Sequence, residues 1–234
     1  MAIKKKSNKA TTLYFNEVKK GVLTGAYSDD VNCMLKEIDK SLIIDFNNYQ
    51  FYTTTIKSEV NFYCNLNKVR NKSFKEIFEE KLSVFGFNKT IINRKIETLS
   101  TIEKKKFYLL LNLCFKFDIV IFINIFKNLD KKNYNIFIQQ LNELKDKKKR
   151  ILLFDDINIL YRICDQIILF KESKILKSGN VSEVLNDVEF LIQNGIEPPY
   201  LSKLTYLAKE KKGVKLFYQN DVRDVIKDVY KHVK

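Results

Sequence analysis

Three short apolar runs follow one another between residues 97 and 170: Ile119-Val120-Ile121-Phe122-Ile123, Ile151-Leu152-Leu153-Phe154 and Ile167-Ile168-Leu169-Phe170. None of them alternates apolar with polar residues, which is typical of strands covered on both faces. An apolar helical segment at residues 107–115 precedes the first run, and residues 133–145 repeat apolar side chains along one helical stripe. Strands separated by helices predict an α/β fold with a parallel sheet and right-handed crossovers.

The composition limits the size and the partners of the protein. At 234 residues, of which 45% are hydrophobic, the chain can bury a core as one domain, with or without a small appendage. Lys and Arg number 42 against 28 Asp and Glu, a formal charge of +14. That excess indicates either an anionic partner, such as nucleic acid or an acidic membrane, or only a lysine-rich genome. We favour the genome interpretation because the lysines are spread along the chain, and we do not expect nucleic acid as a partner.

Cysteine and histidine exclude several kinds of site. The four cysteines lie far apart without a CxxC pair, which predicts reduced thiols in an intracellular protein. His232 is the single histidine, so histidine triads and histidine zinc sites are excluded. Residues 107–126 are the one stretch apolar enough to suggest a membrane span. Lys116 and Asp118 near its centre would each cost roughly 2.5–3.5 kcal/mol there, so we expect a helix followed by a strand instead.

Short motifs flank the apolar runs in a particular order. Leu99-Ser100-Thr101-Ile102-Glu103 precedes the apolar helix, where the ATPase domains of ABC transporters carry the signature LSGGQ. Ile119–Ile123 followed by residues 124–130 resembles the Walker B strand and D-loop of that family, and Phe154-Asp155-Asp156 falls at its switch histidine. The resemblance implies an ABC-type, P-loop NTPase-like α/β core. It would have a mostly parallel sheet, a helical subdomain, a reduced antiparallel β-subdomain and a C-terminal α+β or helical tail.

Residues 19–25 resemble the lead-in to the phosphate-binding Walker A loop of this family. A working loop, GxxxxGK[ST], holds phosphate and Mg²⁺ with backbone N–H groups, a lysine and a hydroxyl. If Gly25 is its first glycine, Asp30 stands at the second one. Val31 then replaces the lysine and Asn32 replaces the hydroxyl. The carboxylate would repel phosphate.

The other nucleotide-binding positions of the family are also substituted. Asp45 takes the place of the Q-loop glutamine. Ile123 and Asn124 replace the metal-associated aspartate and the catalytic glutamate, and neither can hold a metal–water shell or act as a base. The resemblance therefore implies a degenerate ATPase with no catalytic residue, and with ATP and Mg²⁺ only where an intact partner shares its site. The vestigial nucleotide-binding residues would be Gly25, Val31, Asp45, Ile123, Asn124 and Asp155.

The signature and the D-loop keep part of their pattern. The resemblance assigns to them Leu99, Ser100, Thr101, Glu103 and Asp130. Ser100 with Glu103 three residues later is also a capping box, and we favour this helix cap over a working signature. Asp156 and Asp165 could be paired carboxylates, but we favour roles at a loop and a helix end.

Residues 48–60 resemble the segment of energy-coupling-factor (ECF) ATPases that faces the coupling helices of the membrane subunit. The resemblance assigns partner binding to Tyr49, Gln50, Phe51 and Tyr52. These aromatics could equally be ordinary core residues, and the sequence leaves both interpretations open. An amphipathic helix at 73–85 follows, with four side chains on its apolar face: Phe74, Ile77, Phe78 and Leu82.

The C-terminal part resembles the tail of ECF ATPases over residues 188–204, and a final helix is expected at 221–233. The resemblance divides the chain into a degenerate core at 1–180, with a helical subdomain at 61–105, and a dimerisation tail at 181–234. Leu191, Pro198 and Leu204 would contact the partner.

The resemblance implies a degenerate subunit of an ECF-type importer for a vitamin, a micronutrient or a metal. Its partners would be an intact ABC ATPase, a transmembrane coupling subunit and a separate substrate-binding membrane protein, at the cytoplasmic face of the membrane. The alternative is an ABC-derived scaffold without a transport role, or a basic module that binds nucleic acid.

Overall fold

The computed structural model describes residues 17–31, 42–66, 71–172, 174–212, 216 and 222–232. Within them, six strands form one sheet in the spatial order β2-β3-β4-β1-β5-β6. The strands are β1 (Leu23–Tyr27), β2 (Leu42–Asp45), β3 (Ile119–Ile123), β4 (Arg150–Phe154), β5 (Gln166–Lys171) and β6 (Lys174–Asn180). The first five run parallel, and β6 pairs antiparallel with β5. The three apolar runs are β3, β4 and β5, so the predicted parallel sheet is confirmed.

Helices connect these strands and continue after the sheet. They are α1 (Ile56–Leu66), α2 (Asn71–Leu82), α3 (Thr101–Leu113), α4 (Lys131–Asp146), α5 (Ile157–Ile163), α6 (Val181–Leu185), α7 (Val188–Gln193), α8 (Tyr200–Lys212) and α9 (Val222–His232), with 3₁₀ turns at Lys89–Asn93 and Ile96–Thr98. The apolar stretch from residue 107 is helix α3 followed by strand β3, as expected. Among the described helices, none combines the length and the hydrophobicity that a membrane crossing requires.

Both faces of the sheet are buried, which explains why its central strands do not alternate. One apolar cluster joins one face to the helices and includes fully buried phenylalanines such as Phe107, Phe122 and Phe137. A second cluster on the other face includes Ala26, Ile121 and other strand residues. The apolar face predicted for residues 73–85 is correct for three of its four members, but Ile77 is 39% exposed.

The strand order fixes which chain segments meet at each edge of the sheet. β4 lies between β1 and β3, with Phe154 level with Ala26 on one side and with Ile123 on the other. Asp45 is level with Ile123 on the adjoining strand β2. Residues that follow β1, β2, β3 and β4 therefore share one edge, here called the carboxyl edge. The opposite edge, where the turns before β1, β3 and β4 lie side by side, is called the amino edge.

Candidate nucleotide and partner sites

The carboxyl edge collects the positions that the sequence assigned to nucleotide binding. Its side chains are predominantly acidic or amide: Asp29, Asp30, Asp45, Asn124, Asp155 and Asp156. Several carboxylates close together give this edge a negative potential, which disfavours a phosphate group. The residues that follow these strands thus lie near one another, as the resemblance implied. Asn32, which was aligned with the hydroxyl position, lies outside the described residues.

Gly25 is not where the sequence placed it. It lies inside β1, paired with Leu153 and Ile167, and the loop starts only after Tyr27. A Cβ atom at Gly25 would lie 3.1 Å from the sulfur of Cys164, so the glycine allows close packing against the end of α5. Its prediction as a phosphate-loop glycine is therefore wrong. Val31, which the same alignment placed at the lysine position, is half-buried and packs against the second apolar cluster.

Asp155, at the switch-histidine position, is used to hold the loop after β3. The backbone N–H of Phe126 donates to its Oδ2 at 3.2 Å, and that of Asp156 donates to its Oδ1 at 2.9 Å. Burial raises the pKa of Asp155, against the effect of these hydrogen bonds. Asn124 begins this loop with φ +52°, a left-handed conformation that asparagine tolerates better than most residues. These hydrogen bonds support a structural role for Asp155.

Lys105 is a member of this site that sequence reasoning missed. Its side chain extends from α3 and is only 8% exposed, and its Nζ donates to the carbonyl oxygen of Lys127 at 2.7 Å. The same Nζ lies 5.5 Å from the ring centroid of Phe46, and burial lowers its pKa. The loop at 124–130 is thus held by α3 on one side and by Asp155 on the other. The sequence contained one sign that Lys105 is buried: it lies one helical turn before Leu109, which is buried on the same side of α3.

The signature segment forms a helix cap, as favoured from the sequence. The Oγ of Ser100 accepts from the backbone N–H of Glu103 at 3.2 Å, and the Glu103 carboxylate accepts from the N–H of Ser100 at 2.8 Å. The hydrogen bond from the Ser100 backbone is the main cause that lowers the pKa of Glu103. Leu99 before the cap is buried, and Thr101 after it is exposed as the first residue of α3.

Three further aspartates also have structural contacts. Asp130 caps α4, since its carboxylate accepts from the backbone N–H of Asn133 at 2.8 Å. Asp156 caps α5. Asp165 accepts from the N–H of Leu23 at 2.8 Å and pairs with Lys145 at 2.8 Å. The loop and helix-end roles favoured for Asp156 and Asp165 are confirmed.

The segment predicted to face a membrane subunit is divided between core and surface. Tyr49 and Phe51 are half-buried, and Phe51 stacks on Phe107 with ring centroids 5.5 Å apart. Tyr52 is 62% exposed, and Gln50 is exposed beside it. Their ring contacts support the core interpretation for Tyr49 and Phe51, while their partner binding stays a prediction. Gln50 and Tyr52 are available for a contact.

Glu59 fixes this segment and was not singled out from the sequence. Its side chain is fully buried on α1. It accepts from the backbone N–H of Tyr52 at 3.0 Å, and from the N–H and the hydroxyl of Thr53 at 2.8 and 2.7 Å. The sequence contained one sign that Glu59 is buried: it directly precedes Val60, on a side of the helix that is otherwise apolar. Its carboxylate holds residues 52 and 53 in one position and so orients the exposed ring of Tyr52.

The tail has an inner and an outer face. Leu191 is fully buried in the main core and Pro198 is buried as well, so their prediction as partner contacts is wrong. Side chains of the core also hold α8, since Asn158 accepts from the backbone N–H of Tyr200 at 2.8 Å and Asn186 accepts from the hydroxyl of Ser202 at 2.8 Å.

The outer face is apolar and exposed. Leu204 is 48% exposed, as a partner contact would require. The other members of this outer tail face are Tyr200, Leu207, Val222, Ile226 and Tyr230. Tyr200 and Val222 line the same shallow pocket, so α8 and α9 meet where both begin.

Comparison with known proteins agrees with the motifs. No family model matches the chain. The energy-coupling factor transporter ATP-binding protein EcfA2 of Mycoplasma capricolum is 27% identical over 82% of this chain and 66% of that protein. A putative ABC transporter ATP-binding protein of Pyrococcus furiosus is 28% identical over 76% of this chain and 66% of that protein. The chain thus spans just under two thirds of the length of these curated relatives.

Solved structures show the same fold. A structure of cbiO1 from Clostridium perfringens, part of the ABC transporter complex cbiONQ, matches with a TM-score of 0.57 and 16% identity, over 81% of this chain and 89% of that one. The ATP binding subunit of an ABC transporter matches with a TM-score of 0.64 and 14% identity, over 83% of this chain and 90% of that one. The chain has an ABC ATPase fold, and its relatives are ECF transporter ATP-binding proteins and other ABC ATPases.

Proposed function

We propose that the chain is a catalytically degenerate ATP-binding subunit of an ECF importer for a vitamin, another micronutrient or a metal. It pairs with an intact ATPase and docks on a transmembrane coupling subunit at the cytoplasmic face of the membrane, while a separate membrane protein binds the substrate. The observation that carries the proposal is an ABC ATPase fold with an acidic carboxyl edge. The fold supports the relation to ABC ATPases, and the acidic carboxyl edge supports the loss of ATP hydrolysis.

At the positions of the carboxyl edge that correspond to Walker B and the switch histidine, no side chain suits ATP hydrolysis. Ile123 is apolar, Asn124 cannot take up a proton at neutral pH, and both oxygens of Asp155 accept backbone hydrogen bonds. ATP and Mg²⁺ would therefore bind only in a site built on the phosphate loop of the partner. This chain would lend Ser100 and Asp130, the cap residues of α3 and α4, opposite that loop.

The membrane contact is assigned to the exposed part of the segment after β2. Gln50 and Tyr52 are exposed, while Glu59 fixes the backbone beside them. An exposed aromatic ring on a backbone that is already ordered loses little conformational entropy on binding, which favours a stable contact.

The contact with the second ATPase is assigned to the outer tail face. It presents several large exposed apolar side chains on two helices that meet at Tyr200 and Val222, and exposed apolar patches mark interaction surfaces. The inner face of the tail is bonded to the core, so the outer face has a fixed position.

Co-purification tests the proposal. The tagged chain is produced together with an intact ECF ATPase and a transmembrane coupling subunit from the same genome, and is then isolated in detergent. We expect all three proteins in one complex. Tyr52→Ser should lose the transmembrane subunit and keep the ATPase, whereas Leu204→Asp should lose the ATPase. Each variant controls for the other, since both remove an exposed apolar side chain. Recovery of the chain alone would contradict the proposal and favour a scaffold without a transport role.

A further inference from the structure

Three basic turns from distant parts of the sequence meet at the amino edge. They are residues 19–22 before β1, 116–118 before β3 and 145–149 before β4. The backbone N–H of Gly21 donates to the carbonyl oxygen of Lys149 at 3.0 Å, and that of Arg150 donates to the carbonyl oxygen of Asp118 at 3.2 Å. The turns therefore lie side by side in the strand order β3-β4-β1. This grouping cannot be seen in the sequence, where the lysines look evenly spread.

Four lysines of these turns are exposed and are absent from the ion pairs of the described residues: Lys19, Lys20, Lys116 and Lys148. Two neighbours are neutralised, since Lys145 pairs with Asp165 and Lys147 pairs with Glu143. The exposed carboxylates of Asp118 and Asp146 belong to the same turns. Cations still predominate here, whereas carboxylates predominate at the carboxyl edge.

Lys148 has a backbone conformation that lysine disfavours. It directly follows the C-cap residue of α4, Lys147, and its φ of +54° lies in the left-handed region where glycine is the usual residue. A Cβ atom at Gly21 would lie 2.9 Å from the Cδ of Lys148, so the bare backbone of Gly21 makes room for this side chain. A lysine thus occupies a position where glycine would give a more stable fold. Such strained positions cluster at functional sites, although Glu172 in the turn after β5 shares the conformation.

We propose that the amino edge binds the phosphate backbone of a double-stranded nucleic acid without sequence preference. Neighbouring strands of a sheet are about 4.8 Å apart, so the three turns, which carry the four lysines, lie in a row. A row of cations matches a linear polyanion, and lysine contacts phosphate as a point charge without reading bases. The acidic carboxyl edge directs an anionic ligand away from the other end of the strands.

The exposed side chains favour a duplex over the other anionic surfaces. Among the described residues, the large exposed apolar side chains lie on other elements and not on these three turns. A single strand would need aromatic rings on which its bases stack, and a membrane would gain little without apolar side chains that enter it.

The binding of a labelled DNA duplex to the full chain tests this proposal, with fluorescence anisotropy between about 50 and 200 mM salt. The test variant carries Lys19→Gln, Lys20→Gln, Lys116→Gln and Lys148→Gln. The control variant carries Lys57→Gln, Lys89→Gln, Lys131→Gln and Lys174→Gln, which remove the same charge from exposed positions elsewhere. We expect at least a roughly tenfold weaker affinity for the test variant only. The magnitude of its slope of log affinity against log salt should fall by about 3.6, since each of the four phosphate contacts contributes about 0.9.

A single substitution separates a functional role of Lys148 from a structural one. Lys148→Gly should raise the thermal midpoint of unfolding and weaken duplex binding about two- to threefold, as expected for one of four contacts. A merely structural role would leave duplex binding unchanged.

Three results would overturn the proposal: no duplex binding at low salt, an equal loss in the test and control variants, or binding to vesicles of phosphatidylglycerol and phosphatidylcholine without binding to the duplex. Duplex binding is measured on the chain alone, so its failure is independent of the co-purification result.

Discussion

At the scale of single residues, buried charges hold the loop at 124–130. Lys105 donates to a backbone carbonyl from α3, and Asp155 accepts backbone N–H groups from the opposite side. Neither residue type is expected in a core, and each is there because it has a specific polar partner. This loop connects the Walker B-like strand to α4, so its shape depends on two long-range hydrogen bonds.

Lys105→Met tests the first of these bonds. Methionine keeps most of the side-chain volume but leaves the carbonyl of Lys127 without its donor, at a cost of about 1–3 kcal/mol. We expect a lower urea midpoint and faster hydrogen exchange in residues 124–130. Lys131→Met at an exposed position is the control and should change neither. Unchanged exchange in the loop would show that Lys105 does not hold it.

The pH dependence of stability tests the burial of Asp155. Burial raises the pKa of Asp155 in the folded state, so the folded protein holds this proton more tightly than the unfolded chain does. The contribution of Asp155 to stability is therefore largest at acidic pH, and it falls as pH rises from the ordinary value of 3.8 through the raised folded pKa. In Asp155→Asn this fall should disappear. Urea unfolding of both proteins between about pH 4 and 7 measures the difference, with Asp146→Asn, which removes an exposed charge elsewhere, as the control. An identical pH profile in all three would contradict the assignment.

At the scale of elements, the segment between α1 and β2 depends on one carboxylate. Glu59→Gln would turn an amide NH₂ group towards backbone donors, so the hydrogen bonds to Tyr52 and Thr53 would weaken. We expect a loss of about 1.5–3 kcal/mol in the free energy of unfolding, because hydrogen bonds to a charged group are stronger than neutral ones. Denaturant unfolding measures the loss, and hydrogen exchange should increase at residues 50–55.

The control for this prediction is Glu76→Gln, which removes an exposed glutamate from α2. It should leave both measurements unchanged. If the two variants behave alike, the position of Tyr52 does not depend on Glu59.

Helices and strands could be predicted from the sequence because their signals are local. The periodicity of residues 133–145 and the apolar run at 119–123 gave α4 and β3 within two residues at each end. The tail was harder, since an amphipathic pattern shows that a helix has an apolar side but not which surface covers it. Leu191 faces the core of its own chain and Leu204 does not, although both are leucines in the same motif.

The nucleotide site was only partly predictable for a related reason. The positions of Ile123, Asn124 and Asp155 follow from strand ends, which the apolar runs mark clearly. Gly25 was placed by aligning it with the Walker A loop, in which all the other characteristic residues are substituted. The alignment therefore rested on this one glycine. Lys105 and Glu59 were missed because their burial depends on partners that are distant in sequence.

At the scale of the whole molecule, the acidic carboxyl edge predicts the absence of ATP hydrolysis by the isolated chain. We expect no Mg²⁺-dependent turnover above background, measured by phosphate release, because no metal ligand or base stands at Ile123 and Asn124. Val31→Lys should not restore activity, since it replaces only one of the missing groups. An intact ECF ATPase purified in the same way is the positive control. Turnover that is lost in Asn124→Ala would contradict the prediction.

The central position of β1 has a consequence for synthesis on the ribosome. β1 is the first of the described strands to leave the exit tunnel, yet both of its neighbours in the sheet, β4 and β5, come late in the chain. Leu23 is separated from Asp165, to which its N–H donates, by 142 positions. At about 5–20 residues per second, β1 waits roughly 7–30 s for both partners. During that delay its apolar residues stay exposed in the nascent chain, so we expect the sheet to form only after β5 has been synthesised and to benefit from chaperones.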